Sequence, residues 1–272
     1  MTMNEAEFQR VQRLGVWTCF ATAVHFLTRV TISKSLATRE DFDHARALNR
    51  AVVFFPVVGG LLGVFTASLL TGFVWLGIPS LLAAFLALGV EAYVTGAFHE
   101  DAFADTCDAL GGGWTQERVL EIMKDSRLGT YGTISLVIGV SCRGLATEAT
   151  SAQGALWTFA SVVAASMIAR FVIVVFMATT APIASRHSQA RDVSGTQSAS
   201  RVMLSALIAS PFAIGWIALF PWVATYSLIA CLGVVVWYRN LVLRRLEGTT
   251  GDILGASGYL AQLVIMIGAS VA

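Results

Sequence analysis

The sequence predicts an all-α polytopic membrane protein, a bundle of about seven transmembrane helices (six to eight) with a short amphipathic helix on its cytoplasmic side. The chain has 272 residues, of which 56% are hydrophobic and only 13% are charged, and its mean hydropathy is +0.71. Soluble domains rarely have this composition. Apolar runs long enough to cross a hydrocarbon core of about 30 Å recur along the chain. No internal repeat or low-complexity linker separates them, so we interpret residues 1–272 as one integral membrane domain.

Seven apolar segments are the predicted spans. They are residues 51–76, 80–98, 130–149, 155–179, 202–220, 222–238 and 257–271. An eighth segment, residues 14–30, is interrupted by polar side chains. Three placements stay open for it: it could span the membrane, re-enter it or lie on its surface.

The connections that carry Lys and Arg alternate with connections that carry none. The basic residues concerned are Lys34, Arg39, Arg46 and Arg50, then Arg118, Lys124 and Arg127, then Arg186, Arg191 and Arg201, and finally Arg239, Arg244 and Arg245. Two predicted crossings separate each of these groups from the next, so all four groups lie on one face. The turns at 77–79, 150–154 and 220–222 contain no Lys or Arg. The positive-inside rule therefore predicts that the basic face, including residues 99–132, is cytoplasmic.

Three aspartates follow one another at intervals of four and three residues: Asp101, Asp105 and Asp108. On an α-helix their side chains fall within roughly 60° of one another on one face. Like charges placed in this way repel, so a bound cation explains the spacing better than packing does. Carboxylates without a His/Cys ligand set favour Mg²⁺ or Mn²⁺ over Zn²⁺. A solvated acidic face is the alternative interpretation.

Three glycines, Gly111, Gly112 and Gly113, follow the aspartates. They can end the helix in the left-handed conformation and expose backbone N–H groups to an anion. A plain helix stop is the favoured interpretation, and an anion nest is the alternative. Thr115 is then the predicted N-cap of the short amphipathic helix. That helix leads the chain back toward the aspartates.

The returning segment brings charged side chains that suit a diphosphate. Lys124 and Arg127 are candidate phosphate contacts, and Arg is suited to a bidentate grip. Asp125 and Asp252 are candidates for additional metal ligands or for carboxylates that support the ligands. A divalent metal, cations and close backbone approach are what a phosphoryl-type transfer requires. His99 is either a structural, hydrogen-bonded residue or a proton acceptor.

Three arginines, Arg29, Arg143 and Arg170, fall within or beside apolar segments. A charged side chain at membrane depth costs at least ~2.5 kcal/mol and normally faces a partner or a cavity. We expect the latter two to pair with Glu91 or Glu148, or to reach toward a bound anion.

The motifs closely resemble those of the adenosylcobinamide-GDP ribazoletransferases, the cobalamin synthase family. The resemblance rests on His99-x-Asp-x-x-x-Asp-x-x-Asp108, on the block from Arg118 to Gly132, and on shorter matches at 26–29, 54–59 and 250–256. It extends from about residue 14 to the C-terminus. The chain departs from the family at Ala102 and Ala109, where Gly is usual, and at Gln262, where an acid is often found.

The resemblance implies a Mg²⁺-dependent, multi-pass enzyme of the bacterial inner membrane with its active site facing the cytoplasm. A ribose hydroxyl of α-ribazole, or of its 5′-phosphate, would attack the phosphate next to the cobinamide in adenosylcobinamide-GDP, and GMP would leave. Asp101, Asp105 and Asp108 would hold Mg²⁺ on the diphosphate. Arg127 and Lys124 would stabilise the developing charge, and His99 or an aspartate would take the proton.

Other classes fit the sequence less well. A CDP-alcohol phosphotransferase should show an Arg soon after its first aspartate and a different acid spacing, and an aspartate-rich prenyltransferase is a related alternative. A cation-coupled transporter should place its acids near the membrane midplane in two related halves.

The formal net charge of +1 gives no sign of nucleic-acid binding, so the expected partners are the two small-molecule substrates and membrane lipid.

Overall fold

The computed structural model describes residues 15–32, 44–183 and 197–271, and these residues are almost entirely α-helical. Their only β-type pairing is an isolated bridge between Pro182 and Thr249. The helices, in chain order, are α1 (Val16–Leu27), α2 (His44–Ala51), α3 (Phe55–Trp75, joined to α2 by the 3-10 turn Val52–Phe54), α4 (Ser80–Thr95), α5 (Phe98–Gly112), α6 (Gln116–Ile122), α7 (Thr130–Ala152), α8 (Ala155–Thr179), α9 (Ala199–Leu219), α10 (Pro221–Leu246) and α11 (Gly251–Ser270).

Five helical segments among the described residues are long and apolar enough to cross a membrane: Ala47–Trp75, α8, α9, α10 and α11. A sixth crossing results if α4 and α5, which meet at 89°, count together as one broken span. The predicted span at 130–149 forms α7, but this helix is not among the apolar five because Arg143 and Glu148 interrupt it. The multi-pass all-α class is confirmed, with fewer apolar spans than the seven expected.

The segment at 14–30 contains a helix of 12 residues, α1. An α-helix rises 1.5 Å per residue, so α1 covers only about 18 Å and cannot cross the hydrocarbon core by itself. The basic residues Lys34, Arg39, Arg186 and Arg191 lie outside the described residues.

Helix α8 forms the centre of the bundle between α3 and α11. Gly59 and Gly63, one turn apart on α3, bring its backbone against α8. A Cβ on Gly63 would lie 2.7 Å from the Cα of Val163, and one on Gly59 would overlap the carbonyl oxygen of Ser166. Small residues at this spacing let membrane helices approach closely where the hydrophobic effect gives no drive. The same principle applies at Gly258 of α11, where a Cβ would lie 2.7 Å from Ile173.

The turns without Lys or Arg lie together at one end of the bundle. Ser80, at the start of α4, donates to Glu148 near the end of α7 at 2.8 Å. Trp157, at the start of α8, donates to the carbonyl oxygen of Ala269 at 3.2 Å and contacts Phe220. These contacts confirm the predicted pairing of helices into hairpins. The acidic helix α5 and the basic residues described in the structure therefore lie at the opposite end; they include Arg118, Lys124, Arg127, Arg239 and Arg245.

We expect Gly63→Ala to lower the free energy of unfolding by about 1–3 kcal/mol, because the added methyl group would push α3 away from α8. The matched control is Gly72→Ala on the same helix, where a Cβ would meet no atom within 4 Å. That control should be neutral or more stable by up to about 1 kcal/mol, since Ala favours helix over Gly. Thermal unfolding in detergent measures both, and equal stabilities would contradict the close α3–α8 packing.

Candidate active site

The site begins at the sharp turn between α4 and α5. Gly96 (φ 73°) and Ala97 (φ 55°) both adopt the left-handed conformation, which costs a non-glycine residue about 1–2 kcal/mol. Gly96 is needed because Arg29 lies against it: a Cβ there would be 2.7 Å from Nε of Arg29. The Arg29 backbone N–H also donates to the Val94 carbonyl at 2.7 Å. The turn directs α5 across the bundle end, where it packs against α11.

Three carboxylates, Asp101 and Asp105 of α5 and Asp252 of the first turn of α11, form what we call the acidic cluster. Contact between Ala102 and Gly255, where a Cβ would lie only 2.6 Å from the Ala102 methyl carbon, brings the two helices together beside it. Burial, followed by repulsion from Asp101, Asp252 and Asp108, raises the pKa of Asp105 to about 6. The cluster is therefore a concentration of negative charge that favours a cation.

Asp108 has different surroundings. Its side chain is buried, and both oxygens accept hydrogen bonds from backbone N–H groups at the start of α7: Oδ2 from Gly129 at 2.7 Å and Oδ1 from Gly132 at 2.8 Å. A Cβ on either glycine would overlap this carboxylate. Asp108 thus caps the N-terminus of a second helix, where N–H groups and the helix dipole favour a negative charge.

The predicted grouping of Asp101, Asp105 and Asp108 is therefore divided between two environments. Helical spacing does bring the three side chains to one side of α5, but the carboxylate of Asp108 is hydrogen-bonded to the start of α7. Across residues 15–32, 44–183 and 197–271, no set of three or more His, Cys, Asp or Glu side chains is arranged to hold a metal ion.

The predicted left-handed end of α5 is wrong. The helix continues to Gly112, and Gly113 is extended (φ −103°, ψ 135°), with its N–H donating to the Ala109 carbonyl at 2.9 Å. That N–H is thus unavailable for an anion nest. Arg245 of α10 supplies the cap instead, donating to the Gly113 carbonyl and, at 3.4 Å, to that of Leu110. A side-chain cation at a helix C-terminus removes the need for the left-handed cap.

The short helix that follows is confirmed as α6, and Thr115 is its N-cap. The Thr115 hydroxyl accepts from the backbone N–H of Arg118 at 3.3 Å. Val119 is buried, whereas Glu117 and Glu121 are exposed, which makes the helix amphipathic. Gln116 ties the helix to α10 by donating to the Leu246 carbonyl at 2.8 Å.

The cationic side chains predicted to contact phosphate are exposed at this end. Lys124 is exposed. Arg127, 87% exposed, forms a salt bridge with Asp125 at 2.6 Å. Hydrogen bonds from the side chain and then the backbone of Arg127 lower the pKa of Asp125 to about 2. The pair is thus ionised over the physiological pH range and open to solvent.

His99 lies inside the bundle. It is 3% exposed, and its Nε2 has no hydrogen-bond partner in the described structure. It precedes Asp101 by two positions, about 200° around the helix, so it faces the interior while Asp101 is exposed. The packing of its ring edge-on to Phe98 agrees with a structural placement.

The arginines within the bundle have partners. Arg143 pairs with Glu91 at 2.6 Å, as predicted, and also with Glu100 at 3.0 Å. Arg170 donates to Gln262 at 2.9 Å. Sequence reasoning missed Glu100 because it stands inside the aspartate motif, and it missed Arg245 because no local pattern marks it.

Residues 19–270 match the cobalamin-5-phosphate synthase family. The chain belongs to this family. The match includes α5, α6, the start of α7 and the first turn of α11, which are the segments that build the candidate site.

Curated relatives agree with the family assignment. The adenosylcobinamide-GDP ribazoletransferases of Escherichia coli O17:K52:H18 (strain UMN026 / ExPEC) and Shigella flexneri serotype 5b (strain 8401) are each 32% identical to this chain. Each alignment covers 259 residues, 91% of this chain and 97% of the relative. No solved structure matches the chain. A cobalamin-5-phosphate synthase is a transferase, so the enzyme class expected from the motifs is confirmed.

We expect Asp108→Asn to lower the free energy of unfolding of this cobalamin-5-phosphate synthase family member by about 1–3 kcal/mol, because its amide NH₂ would face a buried backbone N–H. The control, Asp101→Asn, should be neutral or stabilising, since it removes repulsion from Asp105. Chemical unfolding in EDTA compares the variants without bound metal. An unchanged free energy of unfolding in Asp108→Asn would show that the hydrogen bonds from Gly129 and Gly132 to Asp108 do not hold α5 to α7.

Proposed function

We propose that this protein transfers the phosphocobinamide group of adenosylcobinamide-GDP to a ribose hydroxyl of α-ribazole or of its 5′-phosphate. The hydroxyl oxygen forms a bond to the phosphorus next to the cobinamide, and the bond from that phosphorus to the bridging oxygen breaks. GMP leaves with the bridging oxygen, and the hydroxyl proton passes to a base. The product is adenosylcobalamin or its 5′-phosphate. Family membership and the names of the relatives support this reaction.

The observation that carries the proposal is the acidic cluster at the basic end of the bundle. None of its three members, Asp101, Asp105 and Asp252, forms a salt bridge with a Lys or Arg among the described residues. The pKa of Asp105 is raised first by burial and then by repulsion from these uncompensated neighbours. The three side chains are not pre-arranged as a metal site in the described structure, but carboxylate oxygens are the donors that Mg²⁺ prefers. When bound, Mg²⁺ would neutralise the diphosphate and polarise its phosphoryl oxygens.

Most of the predicted site residues keep a role in this proposal. Asp101 and Asp105 would hold the metal with Asp252, and Asp108 would fix α5 against α7 even if it also approaches the ion. Lys124 and Arg127 would bind phosphate oxygens. Arg127 would leave its salt bridge with Asp125 to contact the substrate.

The remaining predicted groups would act through shape or proton transfer. Gly112 is exposed and would let the substrate approach the end of α5 closely, whereas Gly113 is buried against Val119 and would only shape the end of the helix. His99 is buried, so the exposed Asp101 is the better placed proton acceptor.

The proposed location is the bacterial inner membrane, with the acidic cluster facing the cytoplasm. Arg118, Lys124, Arg127 and Arg245 lie at the cluster end of the described structure, and the turns at the other end carry no Lys or Arg, which agrees with the positive-inside distribution. Both proposed substrates are charged or strongly polar, so a site that opens to the cytoplasm needs no transport step.

We expect the purified protein to release GMP from adenosylcobinamide-GDP and α-ribazole when Mg²⁺ is present. Asp105→Asn should reduce this rate at least about 100-fold, since it removes a carboxylate that would stabilise the transition state through the metal. Glu117→Gln, an exposed acid on α6, is the control and should keep the wild-type rate. The measurement is GMP by chromatography, with circular dichroism to check folding.

EDTA should abolish GMP release, and added Mg²⁺ should restore it. Full turnover in EDTA would contradict the metal proposal. Turnover of a CDP-alcohol in place of adenosylcobinamide-GDP would contradict the substrate proposal and favour the phosphotransferase alternative.

A further inference from the structure

A chain of buried polar contacts, which we call the ion network, runs from α3 to α5. Thr66 of α3 donates to Oε2 of Glu91 on α4 at 2.7 Å. The other oxygen of Glu91 accepts from Nη2 of Arg143 on α7 at 2.6 Å, and Nη1 of Arg143 donates to Glu100 of α5 at 3.0 Å. One guanidinium therefore holds two carboxylates on two different helices.

These two carboxylates stand on either side of the sharp turn at Gly96 and Ala97. Glu91 lies in the last turns of α4 and Glu100 in the first turn of α5. No other salt bridge between described residues joins these two helices. Ala97 adopts the left-handed conformation at this turn, which is unfavourable for a non-glycine residue, so the bend depends on contacts that hold its two helices in place. Arg143 makes such a contact with both helices.

The ion network is directly connected to the acidic cluster through the sequence of α5. Glu100 immediately precedes Asp101, and Asp105 follows one turn later, so a rotation of the first turn of α5 would move both cluster carboxylates. The planar fork of Arg can bind two carboxylates at fixed directions, which an ammonium group does not do. The side chains of Arg143 and Glu100 are 6% and 14% exposed, so little water competes for the contact.

We propose that Arg143 is a positioning residue that sets the bend between α4 and α5, and thereby the placement of Asp101 and Asp105, through its bond to Glu100. The inference rests on the proposed function only where activity is measured. Arg170 does not share this role, because its hydrogen bond goes to Gln262 of α11 and not to α5.

The test uses variants of Glu100, since removing Arg143 would leave two carboxylates without their cation and could prevent folding. Glu100→Met removes the acceptor but leaves the Arg143–Glu91 pair. Glu100→Gln has nearly the same size and still offers an oxygen to Arg143. Glu148→Met on α7 is the control, because Glu148 bonds Ser80 at the opposite end of the bundle.

The first measurement is the distance between spin labels at Leu86 on α4 and Glu117 on α6, both exposed, by pulsed electron paramagnetic resonance. The background lacks Cys19, Cys107, Cys142 and Cys231. We expect Glu100→Met to shift or broaden the distance distribution, while Glu100→Gln and Glu148→Met match the wild type. An unchanged distribution in Glu100→Met would overturn the proposal. This measurement needs no substrate, so it decides the positioning role even if the proposed function fails.

The second measurement is kcat for GMP release by folded, purified variants. We expect Glu100→Met to lose at least about tenfold, because small displacements of catalytic groups have large effects on rate. Glu100→Gln should stay within about fivefold of wild type, since a neutral hydrogen bond replaces a charge-assisted one. A metal ligand or proton acceptor at position 100 would need its charge, so equal losses in both variants would overturn the positioning role.

Discussion

The carboxylate of Asp108 holds the end of α5 against the beginning of α7, and the rest of the candidate site depends on this contact. Its two oxygens satisfy the N–H groups of Gly129 and Gly132, which no residue within α7 could accept. The segment between these two helices contains α6 and the loop with Lys124 and Arg127. The Asp108 contact joins the residues at its two ends. The basic loop is therefore kept beside the acidic helix.

The carboxylates of α5 are distributed between two electrostatic environments. Glu100 faces Arg143 inside the bundle, where an unpaired charge would be costly, and it therefore contributes to structure. Asp101 and Asp105 meet Asp252 with no Lys or Arg bound to them in the described structure. The same helix therefore carries an acid that is compensated by an arginine and, on its other side, two acids that are not, and the metal proposal concerns these two.

The sequence predicted the features that depend on local pattern. Apolar runs gave the helices, the acid spacing gave the helical face of Asp101 and Asp105, and the cost of a buried charge gave the pairing of Arg143 with Glu91. It could not predict contacts in which a charged side chain pairs with a backbone group far along the chain. Asp108 accepts a hydrogen bond from Gly129, so it does not share the surroundings of Asp101 and Asp105. Arg245 donates to the Gly113 carbonyl at the end of α5, so Gly113 does not adopt the predicted left-handed conformation.

The bend at Gly96 and Ala97 explains why α5 stays at the end of the bundle. A straight continuation of α4 would carry α5 away from α11, and Asp101 and Asp105 would lose their proximity to Asp252. Turning by 89° instead lays α5 across α11, where Ala102 meets Gly255. The left-handed backbone at Ala97 is thus the local cost of bringing carboxylates from two distant parts of the chain to one place, and the ion network joins the two helices that meet at this bend.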